Sequence, residues 1–234
     1  IYWIKRASDN NFIMAHFVLG FLYQEGKYEN LDIEKSIHFY KEASSFNNQY
    51  AKNNLGIIYK HGFEDKIKRN TSNAEIYFIE AINQNYDKVA MYNLSHIYIF
   101  DYHTDEFIIK SIDLLIKSSM LHFEPSIYLL YLILVMKYGS DIELIKNELL
   151  KLSYDQNKVN KILNFNLHEL QILCLFPPKK IKEIYQSFKD TDFLYDECTI
   201  PIKSIKVFPQ KIVNKESTIN DKYNINEDFY KGFQ

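Results

Sequence analysis

The sequence predicts an all-α fold, a solenoid of antiparallel helix pairs laid side by side, and three observations predict it. First, a pattern recurs: Ala51, Leu55, Gly56, Tyr59 and Gly62 are matched in type and spacing by Ala15, Leu19, Gly20, Tyr23 and Gly26. Second, the first four of these fall at i, i+4, i+5 and i+8, one face of a helix, and the glycine that follows is a helix stop. Third, a shorter pattern runs out of phase with the first, over 36–43, 74–81 and 111–118, each copy ending eight or nine residues before the next pivot alanine or serine. One unit is therefore helix A, a glycine-closed loop, helix B and a short turn into the next helix A.

Taken in order, residues 1–7 already read as a helix B, because Ala7 precedes Ala15 by the interval that separates Ala43 from Ala51. Half a unit at the start, with no initiator Met, leads us to expect a piece of a longer protein, with any signal peptide, anchor or catalytic domain outside it. In the first full unit, Asp32 is placed to cap helix B, its carboxylate accepting from free amides of the first turn. The second unit has a longer loop over 64–70, and its Ser72 and Glu75 stand at capping-box spacing. The third unit keeps the pattern with Ala90, Leu94, Ser95, Tyr98 and Asp101, and starts helix B after Thr104. The fourth is the most divergent, with Ser126, Leu130, Tyr131, Leu134 and Lys137, and its helix B follows Gly139 with Ser140 and Glu143 again at capping-box spacing. The apolar run 127–136 inside it is about half of the ~20 residues needed to span a bilayer, so it reads as a buried helix A.

Beyond residue 152 the periodicity changes. Over 153–190 we expect helices that cap the stack: 159–176 is helical by composition, Pro177 and Pro178 stop it, and Ile181, Ile184, Tyr185 and Phe188 make an amphipathic helix. That helix covers the open end of the solenoid, or docks a partner or a second copy of the chain. Over 191–234, Pro201, Pro209 and polar clusters predict an extended, partly disordered tail, with Ile200, Ile202, Ile205 and Val207 as a short strand or an arm along the stack.

Composition excludes several functions. With 47% hydrophobic and 25% charged residues and a formal charge of -2, the chain has ample core material and no strong electrostatic bias. Only Arg6 and Arg69 are arginine, the usual bidentate reader of phosphates and bases, which argues against a nucleic-acid partner. Cys174 and Cys198 lie outside the repeats and form no CxxC, so neither a disulfide framework nor a zinc site is expected, and a reducing, cytoplasmic compartment is the default. His16, His38, His61, His96, His103, His122 and His168 are scattered, without an i, i+4 pair, so no metal is expected. His168 and Cys174, six residues apart, do not converge as base and nucleophile, and no glycine-rich phosphate loop is present. The basic stretch Lys66, Lys68 and Arg69 reads as a solvated loop, with an anion contact as the less favoured reading. We therefore expect no catalytic residues and no cofactor.

The pattern Ala-x3-Leu-Gly-x2-Tyr-x2-Gly, a loop, and a helix ending in Glu-Ala resembles the Sel-one-like repeat, a relative of the tetratricopeptide repeat, over residues 1–152. The resemblance implies a right-handed α-solenoid acting as an adaptor or assembly scaffold. Members of this family occur in membrane-associated quality control, in signalling complexes and appended to catalytic domains. In tetratricopeptide-like stacks a stripe beside the packing face of helix A lines a concave groove. Here that stripe, two, six and nine residues past each pivot, is Phe17, Phe21 and Gln24; Asn53, Ile57 and Lys60; Tyr92, His96 and Ile99; Tyr128, Leu132 and Val135. Aromatic and aliphatic groups interleaved with amides suit a peptide ligand. The competing reading is that these side chains pack against a neighbouring helix. The rival function is the regulatory or targeting arm of an enzyme, such as a kinase, with its catalytic domain upstream; a self-assembling array is the third, and the oligomeric state is open.

Overall fold

The structure is a computed structural model that describes residues 1–26, 30–102, 104–139 and 141–152, with isolated positions 157, 179, 182, 183 and 186. Among these residues there are nine α-helices and no strand: α1 Tyr2–Asp9, α2 Ile13–Glu25, α3 Ile33–Ser45, α4 Gln49–His61, α5 Thr71–Asn85, α6 Lys88–Ile97, α7 Asp105–Met120, α8 Glu124–Tyr138 and α9 Ile142–Leu152. Consecutive helices pack on one another in a row, α1 on α2 through α8 on α9, as expected of an all-α solenoid. The even-numbered helices are the A helices and the odd-numbered ones the B helices. The expected capping helices over 153–190 and the tail over 191–234 lie outside the described residues, isolated positions apart.

Two kinds of contact set the stack. Small residues in the A helices receive large ones from the B helices: Gly20 lies under the ring of Tyr40 and Gly56 under that of Phe78, so closely that an added Cβ would stand 2.5 Å from ring carbon. One residue earlier in each B helix a second ring stacks flat, Phe39 on Tyr23 and Tyr77 on Tyr59, both with centroids 5.6 Å apart and planes 5° apart. The apolar residues buried between helices form one cluster that runs from Phe17 in α2 to Leu149 in α9.

The first two A-to-B loops share a positive-φ glycine and one backbone bond, and the third departs from them. Gly26 and Gly62 adopt left-handed φ of 62° and 73° at the ends of α2 and α4. The chain then returns so that the amide of the next cap donates to the carbonyl of the stacking tyrosine, Asp32 to Tyr23 at 3.0 Å and Asn70 to Tyr59 at 2.7 Å. In the third unit Asp101 takes the place of that glycine, and the helix does not stop there. It widens into a π-helical turn, Tyr98–Tyr102. The longer second loop folds into a clip, with Phe63 and Ile67 exchanging backbone bonds of 2.7 and 3.0 Å, and it places Arg69 in an ion pair with Asp101. Lys66, Lys68 and Arg69 are all exposed, as a solvated loop requires, and Arg69 in addition ties that loop to the third unit.

Helices α1, α2 and α8 start without a side-chain cap; the others are capped, but two of the expected caps are displaced. Asp32 and Thr104 cap α3 and α7 as expected. Helix α5 begins two residues earlier than the box of Ser72 and Glu75 required: Asn70 is the cap, accepting from the amide of Asn73 at 2.9 Å. At α9 the side chain of Asp141 accepts from the amide of Leu144 at 3.0 Å, the role expected of Ser140, which lies outside the described residues. Of the A helices, α4 is capped by Asn48 on Ala51 and α6 by Asp87 on Val89 and Ala90, while α2 and α8 open after Phe12 and Phe123 with no side-chain cap.

Candidate partner-binding surface

A helix in a two-layer stack exposes one side if nothing lies over it; here the A helices are covered nearly all round. Phe17, Phe21, Gln24, Asn53, Ile57, Lys60, Tyr92, His96, Ile99, Leu132 and Val135 are all buried, and Tyr128 is half-buried. The stripe exists as a line of side chains along α2, α4, α6 and α8, but the folded chain encloses it. Most of its apolar members belong to the continuous core, so the packing reading describes Phe17, Phe21, Ile57, Tyr92, Ile99 and Leu132 as they stand.

The polar members do something else. Tyr40 donates from its hydroxyl to Gln24 Oε1 at 3.0 Å and accepts from Asn54 Nδ2 at 3.1 Å. Asn53 Nδ2 donates to Asn54 Oδ1 at 3.3 Å, and Asn93 Nδ2 to Asn53 Oδ1 at 2.9 Å. The result is a buried hydrogen-bonded seam through α2, α3, α4 and α6, crossing three units. Beside it Lys60 Nζ lies 2.9 Å from His96 Nδ1. An ammonium has only protons to offer, so that geometry makes Nδ1 the acceptor and leaves the ring proton on Nε2. Burial raises the Tyr40 hydroxyl pKa above its ordinary value, against the opposing pull of the Asn54 amide, so it stays a neutral donor. Gln24 is the incomplete member: among the described residues its Nε2 is buried without a hydrogen-bond partner.

A second polar cluster lies where the π-helical turn meets α5. Tyr98 and Tyr102 donate to the two carboxylate oxygens of Glu75, at 2.8 and 2.7 Å. Glu75, read from sequence as half of a capping box, is instead a clamp that ties the turn to the B helix. Burial first, then the Glu75 bond and charge, raise the Tyr98 hydroxyl and push Tyr102 up to about 12.

Sequence reasoning placed Gln24, Asn53, Lys60 and His96 on one line and missed Tyr40, Asn54 and Asn93, which connect them. The available signal was asparagine three residues past the pivot, a packing position where the first and fourth units carry Val18 and Leu129. Among the described residues no three His, Cys, Asp or Glu side chains converge as metal ligands, and no helix is long and apolar enough to cross a membrane.

Comparison with known proteins agrees with this architecture. Residues 13–45 and 49–86 match the family model of the Sel1 repeat. A Sel1 repeat protein from Oxalobacter formigenes is similar at 18% identity, over 53% of this chain and 90% of that one, with a TM-score of 0.45. The protein c5321, described as a protective antigen present in uropathogenic Escherichia coli strains and displaying an SLR fold, is similar at 16% identity and a TM-score of 0.53. That match covers 80% of this chain and 47% of the antigen. Among curated proteins none matches the sequence.

Proposed function

From a chain that carries Sel1 repeats at 13–45 and 49–86, we propose that the stripe along the A helices is a groove for an extended segment of a partner protein. Repeats of this family are in general protein-interaction scaffolds. The observation that carries the reading is Gln24, whose carbonyl oxygen is held by Tyr40 while its buried Nε2 has no acceptor among the described residues. Leaving such a donor unsatisfied costs roughly 1–3 kcal/mol, and a main-chain carbonyl of a bound segment would remove that cost. Because the folded chain covers the stripe, a partner gains it by displacing that cover, and its apparent affinity is reduced by the fraction of time the groove is open.

The test is positional crosslinking. A photoreactive residue at Tyr128, the half-buried member of the stripe, should trap the partner in native extract, and one at Ile109, exposed on α7, should not. Trapping at Ile109 alone would move the binding face to the B helices and end the groove reading.

A further inference from the structure

Lys60 and His96 meet between the second and third units, and their contact holds in one charge state only. Lys60 Nζ of α4 lies 2.9 Å from His96 Nδ1 of α6, and the two residues are 5% and 1% exposed. Because the ammonium is the donor, the imidazole must be neutral. A proton on Nδ1 would remove the acceptor and set two positive charges side by side where water screens them little. The carboxylates of the elements packed on α6 are engaged elsewhere. On α5, Glu80 pairs with Lys52, and Glu75 accepts from Tyr98 and Tyr102 of the π-helical turn. In that turn Asp101 pairs with Arg69, and at the start of α6 Asp87 caps the helix. On α7, Glu106 and Asp113 pair with Lys110 and Lys117, and Asp105 is exposed at the first position. The His96 ring itself packs on Tyr92 and Phe100, rings that supply no counter-charge.

The other crossings between described A helices lack such a pair. Lys60 and His96 stand nine and six residues past their pivots, and the equivalent places are Gln24 and Ile57 in the first crossing and Ile99 and Leu132 in the third. None of these gains a proton between pH 8 and 5. The sensitivity therefore belongs to the contact of α4 with α6, in the middle of the covered stripe.

We propose that Lys60 and His96 form an acid-sensitive latch on the stripe: uptake of one proton by His96 parts α4 from α6 and admits the partner segment. Admission of a partner rests on the groove proposed above; the opening itself does not. The direction follows from the charges. The closed pair disfavours the added proton, whereas an opened, hydrated imidazole takes it up near the ordinary histidine value of about 6.5. The open state therefore binds more protons. The closed state is at full strength above that pH and weakens as pH falls, by up to about tenfold per pH unit for one proton.

Amide exchange of the whole chain at pH 5.5 and 7.5, corrected for the intrinsic pH dependence of exchange, reads the latch. In the native sequence the opening of α4 and α6 should increase at pH 5.5 by up to about tenfold. His96→Gln keeps an acceptor for the ammonium and takes no proton; Lys60→Met keeps the apolar stem and removes the charge. Each variant should lose most of the acid response. His16, buried against Ser8, and His61, half-buried beside Lys60, are the same in all three chains, so a difference between the chains belongs to the pair. An equal acid response in the native chain and both variants, or none in the native chain, would overturn the proposal. Photocrosslinking from Tyr128 in native extract at pH 5.5 then separates the latch from the groove, and trapping should be stronger in the native chain than in His96→Gln. Equal trapping with the exchange difference intact would uphold the latch and end the groove reading.

Discussion

Gly56 and the ring above it show how a single residue sets the distance between helices. A Cβ there would stand 2.5 Å from Phe78, a ring that is itself fully buried and has nowhere to move. The third unit has Ser95 at the glycine position and Leu115, also fully buried, at the ring position: as one side grows the other shrinks. Gly56→Ala should therefore lower stability, because overpacking costs typically 1–3 kcal/mol and alanine's helix propensity returns about 1 at most. Adding Phe78→Leu should recover most of the loss, and denaturant melts of both single variants and the double give the coupling; additive effects would refute the contact. The sequence made the glycines legible as close-approach points but not the rings that meet them, because periodicity shows which residues are small and not which neighbour fills the space. The tyrosines of the Glu75 clamp add a pH dependence. Tyr102 is raised from 10.0 to about 12 in the fold, and Tyr98 and Tyr40 are also raised. A hydroxyl harder to ionise folded than unfolded contributes stability that is complete below pH 10.0 and disappears as pH rises through the folded value. Melting temperature should thus hold through pH 9 and fall between about 10 and 12, with a smaller fall in a Tyr98→Phe, Tyr102→Phe variant. An unchanged fall in that variant would assign the alkaline loss elsewhere.

Helix boundaries are the scale at which local chemistry competed with itself. Asn70, Thr71 and Ser72 are all adjacent, all able to cap, and spacing alone favours Ser72 because Glu75 completes a box. The structure favours Asn70, since the loop amide of that residue must reach the Tyr59 carbonyl and Glu75 must reach two tyrosines, demands that come from elsewhere in the chain. Asn70→Ala should accordingly cost about 1 kcal/mol while Ser72→Ala costs a few tenths; equal costs would restore the box. The B-to-A turns make a similar point. Asn11, Asn47, Tyr86 and His122 hold φ of 58°, 65°, 51° and 56° at corresponding places, and after three of them the next amide, of Phe12, Asn48 and Phe123, closes the helix by donating to the carbonyl five residues before it. No glycine marks these turns, so only the length of the turn was visible in the sequence. Tyr86 is the costly choice, a bulky residue in left-handed backbone and 75% exposed. Tyr86→Gly should stabilise the chain by about 1 kcal/mol, readable as a higher midpoint at unchanged slope, because glycine removes the steric penalty without losing buried area.

At the scale of the stack, the repeat length and the helix order were legible over the described residues, because a stack imposes the same packing demand on each unit and the sequence answers it each time. The groove was not legible in the same way. A stripe beside the packing face reads identically whether it faces solvent or is covered, and the covering is decided by contacts far apart in the chain. Hence Lys60 and His96, ordinary surface types on a helical projection, meet each other inside. The single core cluster from α2 to α9 carries a consequence for cooperativity. In a solenoid, stability is a sum of intrinsic unit terms and nearest-neighbour interface terms, so a defect spreads only as far as the interfaces are strong. Leu55 is fully buried in α4, at the centre of the described stack, and Leu55→Ala should cost roughly 2–5 kcal/mol through lost transfer energy and the cavity left behind. If the interfaces dominate, amide exchange in α2 and in α8 should accelerate by the same factor as in α4, because each opens only when the whole array does. If acceleration stays within α4 and its hairpin partner α5, the units open one at a time, and a partner could then enter the covered stripe without unfolding the rest.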